Sequence, residues 1–306
     1  METQITTLIS TDDLPALHLR AKQVLAGLDV SPGTQTDYGY RIGSFIEFIG
    51  QHGLGADSYL EYKRYLAARN DIGVATKNKY LAAARVMLKE LNRTGSLPVD
   101  ITQNVKAFSQ NKKHKRDGLN DDEIERLVEQ LRLPGATSHT IKMRAIFCLL
   151  ALQGLRQGEL VRLDVKDLDL LRSVAYVQGK GRDDKEPISL HPATVDALKA
   201  YLKAYKLADG ALFVSSSNRS KNQRLSTRAI HRYVSTMLQQ LDISKTPHGF
   251  RHYFTTMLIK SYKGDLLEVA RYTRHKSLEM LQVYNDNINA KADLPRYYKT
   301  FEKVAL

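Results

Sequence analysis

His248-Gly-Phe-Arg-His252 sets an imidazole and a guanidinium three residues apart, so a helix through this stretch carries both on one face. Working outward, two further segments precede it: Gly154-Leu-Arg156-Gln-Gly-Glu159-Leu160, and Gly179-Lys180-Gly181. His275 follows, with Tyr284 nine residues beyond it. Each element has an ordinary structural explanation when taken singly. An arginine near a helix end caps carbonyls, Gly-Lys-Gly makes a hairpin turn, a lone histidine satisfies a core, and Tyr284 is one of 16 tyrosines. Their order and spacing as a set carry the information.

The remaining sequence describes a globular protein. A length of 306 residues accommodates two domains of ordinary size, and 42% hydrophobic with 26% charged content excludes a disordered chain. The apolar run from Ala145 to Leu152 is far shorter than the roughly 20 residues a membrane span needs, so it predicts a buried core helix. Met1-Glu2-Thr3-Gln4 lacks a basic segment ahead of an apolar one, which argues against a secretory signal. Cys148, the single cysteine, has no intrachain partner and is expected as a small buried hydrophobe in a reducing compartment.

The formal charge of +13 favours a polyanionic partner, because basic groups displace the counterions condensed on a phosphate backbone. Residues 1–112 hold 13 basic and 11 acidic side chains, a net of +2; the rest hold 33 and 22, a net of +11. The excess therefore belongs to the second part of the chain.

Residues 1–110 read as a bundle of short helices. Tyr38, Ile42, Phe45, Ile46 and Ile49 recur at spacings of three and four, and Gly50 with His52-Gly53 ends that helix. Others are expected over 14–28, 58–69 and 76–91, with no strand of any length. Ser109 to Gly118 lacks a run of apolar residues and concentrates charge, so 111–118 is expected as a linker, with Lys112, Lys113, Lys115 and Arg116 candidates to lie along DNA. Asn120 is placed to cap a helix with acidic groups in its first turn, and a long helix covers 139–153. Val174–Val177 and Pro187–Leu190 flank the Gly-Lys-Gly turn as a small antiparallel sheet, and the pattern from Ala193 onward is mostly helical.

The ordered set Arg156, Lys180, His248, Arg251, His275 and Tyr284 resembles the tyrosine recombinase (integrase) family, in particular its two-domain, Xer-like members. The resemblance implies a mainly α fold: a helical-bundle, SAM-like core-binding domain over 1–110, and a catalytic domain over 119–306, mostly α with a small antiparallel sheet. It implies a site-specific recombinase acting on double-stranded DNA sites through a 3′-phosphotyrosine intermediate and a Holliday junction. The family's protomers form a tetramer in the synapse, with a partner recombinase or accessory protein in some systems, in the cytoplasm at the prokaryotic nucleoid. No cofactor is expected, and the sequence contains no phosphate-loop motif, no paired cysteines and no His-Glu-x-x-His.

The roles carried over suit the side chains. Arg156 and Arg251 bind the nonbridging phosphate oxygens, because a planar guanidinium donates paired hydrogen bonds and keeps its charge. Tyr284 is the nucleophile, His248 accepts its proton, Lys180 protonates the departing 5′ oxygen, and His275 fixes the phosphate. Glu159 orients this cluster unless it faces outward. A phenol of ordinary pKa, about 10, is roughly 0.1% ionised at pH 7, so it needs such help. Two positions depart from the family pattern. Arg274 stands where glycine is usual, and either adds a phosphate contact or points to solvent; Phe250 replaces a commoner leucine. Residues 293–306 are expected as an amphipathic helix that docks on a neighbouring protomer. Two other readings use the same residues: a type IB topoisomerase-like nicking-closing enzyme, and a DNA-binding regulator that has lost catalysis.

Overall fold

The computed structural model describes residues 7–9, 14–110, 118–179, 181–218, 220–275, 277–300 and 302. The chain divides into two compact units, 1–112 and 113–306, with the division inside the basic stretch read as a linker.

The first unit is built from α1 (Leu14–Gly27), α2 (Pro32–His52), α3 (Ser58–Ala68) and α4 (Val74–Arg93). Ser31 accepts the Thr34 N–H and Pro32 opens α2 at a position that needs no donor. The helix runs through Gly50 and stops at Gly53, whose φ of 74° takes the left-handed region that glycine tolerates best. The periodic residues Ile42, Phe45, Ile46 and Ile49 are buried against Tyr59, Tyr62, Leu81 and Leu88. Burying one such side chain is worth about 1.5–3 kcal/mol, which orders helices too short to persist alone. Asn78 donates to the Phe108 carbonyl at 3.0 Å and accepts its N–H at 2.8 Å, tying the exit of the unit to α4. One expectation fails here. A short antiparallel pair, β1 (Thr7–Ile9) with β2 (Leu54–Gly55), occupies a region read as free of strands. At two to three residues, such strands leave no period to detect.

The second unit opens with α5 (Asp121–Arg132), where Asn120 and Glu123 form a reciprocal capping box. There follow α6 (Ser138–Ala151), α7 (Gln157–Arg162), a 3-10 turn at Val165–Asp167 and the strands β3 (Leu168–Asp169), β4 (Val174–Gln178) and β5 (Lys185–Ser189). The strands form one antiparallel sheet in that order, with Val174 opposite Ser189 and Gln178 opposite Lys185. Then come α8 (Pro192–Tyr205), α9 (Thr227–Gln239), α10 (His248–Ser261), α11 (Leu266–Thr273) and α12 (Leu278–Thr300). Their core gathers Ile146, Leu150, Leu160, Val177, Leu198, Phe213, Val234 and Phe250. A smaller cluster of Ile259, Val269, Leu281 and Tyr284 joins α10, α11 and α12. Cys148, expected to be buried, is half-buried, with burial enough to push its thiol up to about 11. The expected terminal helix begins as the continuation of α12, whose residues 292–300 are all exposed, and residues 301 and 303–306 lie outside the described residues.

Candidate active site

Arg156 is the N-cap residue of α7, and Glu159 lies one turn into that helix. Glu159 was open to an outward orientation in the sequence; it is 1% exposed and faces inward. Its carboxylate accepts the Arg156 backbone N–H at 2.9 Å, Arg156 Nη1 at 2.8 Å and Arg274 Nη2 at 2.7 Å. Burial pushes this carboxyl up, but the Arg274 charge and the Arg156 hydrogen bonds outweigh it and hold its pKa below the ordinary value. Glu159 therefore stays ionised and fixes two guanidinium groups.

Arg251 projects from the first turn of α10 and is 3% exposed. Its Nη1 donates to the Gly154 carbonyl and its Nη2 to the Thr273 carbonyl, each at 2.6 Å. Burial, with Arg156 nearby, lowers its pKa to about 10, so it remains charged at pH 7. Gly154 can present that carbonyl because its φ is 59° and because a Cβ there would sit 2.2 Å from the Phe254 ring.

Three consecutive residues at the end of α11 converge on the same place. The Thr273 hydroxyl donates to the Val269 carbonyl at 2.9 Å, so at the 2.7 Å contact with His275 Nδ1 it must accept. Nδ1 of His275 then carries the proton. Burial and the charges of Arg251, Arg156 and Arg274 lower the His275 pKa to about 4, so the ring is neutral at pH 7 and its Nε2 is bare. Arg274 adopts the left-handed conformation that ends the helix, φ 54°, which explains why glycine suits this position. It does not point to solvent. Its side chain is 5% exposed, paired with Glu159 and 3.5 Å from Glu186. Its Nε and Nη1 are buried with no hydrogen-bond partner among the described residues.

Tyr284, on the second turn of α12, is 8% exposed. Burial pushes its phenol up to about 12, against the pull of Arg251 and Arg156. Such a phenol is ionised on the order of one part in 10⁵ at pH 7, far less than a free tyrosine. Its hydroxyl lies 2.5 Å from Nδ1 of His252, a residue to which the sequence reading assigned no role. The His252 ring also meets the ring of His248 edge to face, with centroids 4.6 Å apart.

These groups enclose a pocket of about 400 Å³ whose wall includes Arg156, His248, Arg251, Arg274, His275 and Tyr284. Five of the six expected catalytic residues thus come together, from α7, α10, the end of α11 and α12. The sixth, Lys180, lies outside the described residues, although its neighbour Gly179 lines the pocket. Lys112, Lys113, Lys115 and Arg116 also lie outside them. Among the described residues, no group of three His, Cys, Asp or Glu is arranged to hold a metal ion, and no helix is long and apolar enough to cross a membrane.

Residues 118–291 match the phage integrase family. A tyrosine recombinase of Synechococcus elongatus is 30% identical over 231 residues, covering 73% of this chain and 71% of that protein. Tyrosine recombinase XerC of Rhodospirillum centenum is 29% identical over 271 residues, covering 84% and 78%. Among solved structures, the XerH site-specific recombinase bound to a palindromic difH substrate in a post-cleavage complex superposes with a TM-score of 0.71 at 16% identity, covering 94% of this chain and 84% of that one. A lambda integrase dimer bound to a core site gives 0.64 at 17% identity, covering 89% and 76%. The structures establish the shared fold; the family match, over more than half of the sequence, and the aligned relatives establish that this chain belongs to the phage integrase family of tyrosine recombinases.

Proposed function

We propose that this protein is a site-specific DNA recombinase that cuts and rejoins duplex DNA through a 3′-phosphotyrosine bond at Tyr284. The observation that carries this reading is the pocket itself: a buried phenol facing three guanidinium groups that an ionised Glu159 and two backbone carbonyls hold in place. Transesterification builds negative charge on the nonbridging oxygens, and fixed cationic donors stabilise it without reorganising. Arg156 and Arg251 bind those oxygens, and Arg274 adds a third cation whose Nη1, without a partner among the described residues, is available to a phosphate. His275 fixes the phosphate once it has gained a proton on Nε2. The imidazoles of α10 receive the phenol's proton, His248 being the acceptor the family pattern suggests, and Lys180 supplies the proton of the 5′ leaving group. The linkage keeps the energy of the cut bond for rejoining, so the scheme needs no nucleotide.

The first unit serves as the core-binding domain on the DNA, with Lys112, Lys113, Lys115 and Arg116 along the backbone between the units. Four protomers act in the synapse, from monomers or smaller assemblies off DNA, in the cytoplasm. The exposed residues 292–300 of α12 favour docking on a neighbour over closing their own unit. Truncation after Ala292 is expected to abolish cooperative assembly on DNA and leave the monomer folded.

Incubation with site DNA nicked just 3′ of the cleavage point tests the chemistry. Wild-type protein is expected to form a covalent adduct on denaturing gels, and Tyr284→Phe none, while both shift DNA. An adduct that survives in Tyr284→Phe sinks the mechanism. A two-site assay separates recombination from nicking and closing, since only recombination yields exchanged junctions.

A further inference from the structure

Resting on the recombinase reading, we infer that His252 is the group that takes the proton from Tyr284. The phenol oxygen and Nδ1 of His252 are 2.5 Å apart, already at the distance over which a proton moves. The placement is built in. His252 follows Arg251 on α10, so the residue that aligns the phosphate and the one that meets the nucleophile share a single rigid turn. Gly118 packs against it so closely that a Cβ there would sit 2.7 Å from the His252 Cβ. Tyr284 is held from the other side by the cluster of Ile259, Val269 and Leu281.

The rest of the site constrains who else can serve. The phenol must lose its proton as the Oη–P bond forms, because the surrounding burial disfavours a free phenolate. Arg156, Arg251 and Arg274 are donors with no capacity to accept, and the His275 ring, whose Nε2 is bare, stands farther from the Tyr284 ring, 6.5 Å between centroids against 5.2 Å for His252. His252 is also flanked by two open grooves, about 810 Å³ and 630 Å³ in volume, so an imidazolium formed there reaches water without crossing the phosphate pocket. His248 lines the first of those grooves as well as the phosphate pocket, and its ring meets that of His252 edge to face.

The step balances as follows. The phenol proton passes to Nδ1 of His252, whose Nε2 keeps its own, giving an imidazolium. The Oη–P bond forms as the P–O5′ bond breaks, and the 5′ oxygen takes a proton from the leaving-group acid. Rejoining runs the same transfers in reverse.

The test uses the full chain and nicked site DNA, with wild-type adduct formation as the check on the recombinase reading itself. His252→Gln is expected to slow adduct formation about 100-fold or more, the usual weight of a positioned acid or base, with DNA binding unchanged. Replacing Tyr284 by a fluorinated tyrosine of lower pKa is expected to recover much of that loss in His252→Gln, while changing the wild type little. A merely structural histidine predicts equal effects of fluorination in both backgrounds. Should His252→Gln prove unstable, the ¹⁵N signals of the His252 ring in the wild-type protein decide instead: Nδ1 is expected unprotonated and shifted by Tyr284→Phe. The inference is overturned if His252→Gln reacts within two-fold of wild type, if fluorination acts equally in both, or if Nδ1 carries the proton. A loss confined to His248→Gln moves the role to that residue.

Discussion

Two buried cations in the second unit make an instructive pair. Lys142 is 1% exposed, and its ammonium donates to the Val214 carbonyl at 2.9 Å and the Ser216 hydroxyl at 3.0 Å while facing the rings of Tyr205 and Tyr233 at 4.8 and 5.5 Å. Two of its three N–H groups donate within the fold, the ammonium lies against two rings, and it is absent from the wall of the pocket around Tyr284. Arg251 and Arg274 are almost as buried, yet both line that pocket, and Arg274 keeps Nη1 without a partner among the described residues. Burial alone therefore does not mark a functional cation. Donors left over, in a place where an anion fits, do.

Four experiments test that distinction, from the largest expected effect down. Glu159→Gln removes the charge that holds Arg156 and Arg274, and breaking a buried ion pair by losing one partner typically costs about 3–5 kcal/mol. A denaturant melt measures it, and a loss under about 1 kcal/mol sets the anchoring account aside. Arg251→Ala is expected to slow adduct formation by about 10²–10³, as loss of one preorganised donor does, whereas Lys142→Met leaves that rate within two-fold. Equal losses in the two variants dissolve the contrast.

The third experiment concerns pH. Burial lowers the Lys142 pKa from 10.5 to about 8, so between those values the unfolded chain holds a proton that the folded chain lacks. Stability contributed by this group therefore rises with pH across that window, by about 3 kcal/mol. Lys142→Met should flatten the rise in melts taken from pH 8 to 10.5, and an unchanged slope contradicts the assignment. The smallest effect belongs to His275. Neutral at pH 7 with a bare Nε2, it donates to a phosphate either by taking up a proton or by shifting to the Nε2–H tautomer as Thr273 turns its hydroxyl to Nδ1; the first route predicts that DNA binding near pH 6 absorbs a fraction of a proton. Calorimetry in two buffers of different ionisation enthalpy reads this directly, and His275→Gln should abolish it.

The sequence made part of this legible and hid the rest for physical reasons. The helices of the first unit follow from apolar residues at helical spacing, and α5 from the Asn120–Glu123 pair, because both signals are local. The Arg251 and Tyr284 positions emerged from spacing and resemblance together. What spacing leaves out is how side chains divide their hydrogen bonds. Nothing local shows that Glu159 is shared between Arg156 and an arginine 115 residues away, or that the phenol rests on His252. Arg274 was ambiguous for the same reason: its burial depends on β5, which supplies Glu186. The pairing of β1 with β2 was hidden by the brevity of both strands.

The unbroken course of α12 has a mechanical consequence. Tyr284 and Thr300 ride on the same helix, and sixteen residues of helical rise separate them by about 24 Å. Leu281, wholly buried one turn before Tyr284, and Tyr284 itself anchor the near part of the helix in its core, whereas residues 292–300 are exposed. Pro295 removes one backbone donor within that exposed stretch, where the helix ladder is weakest. A partner that loads the exposed stretch 292–300 would therefore pull on the same helix that carries Tyr284.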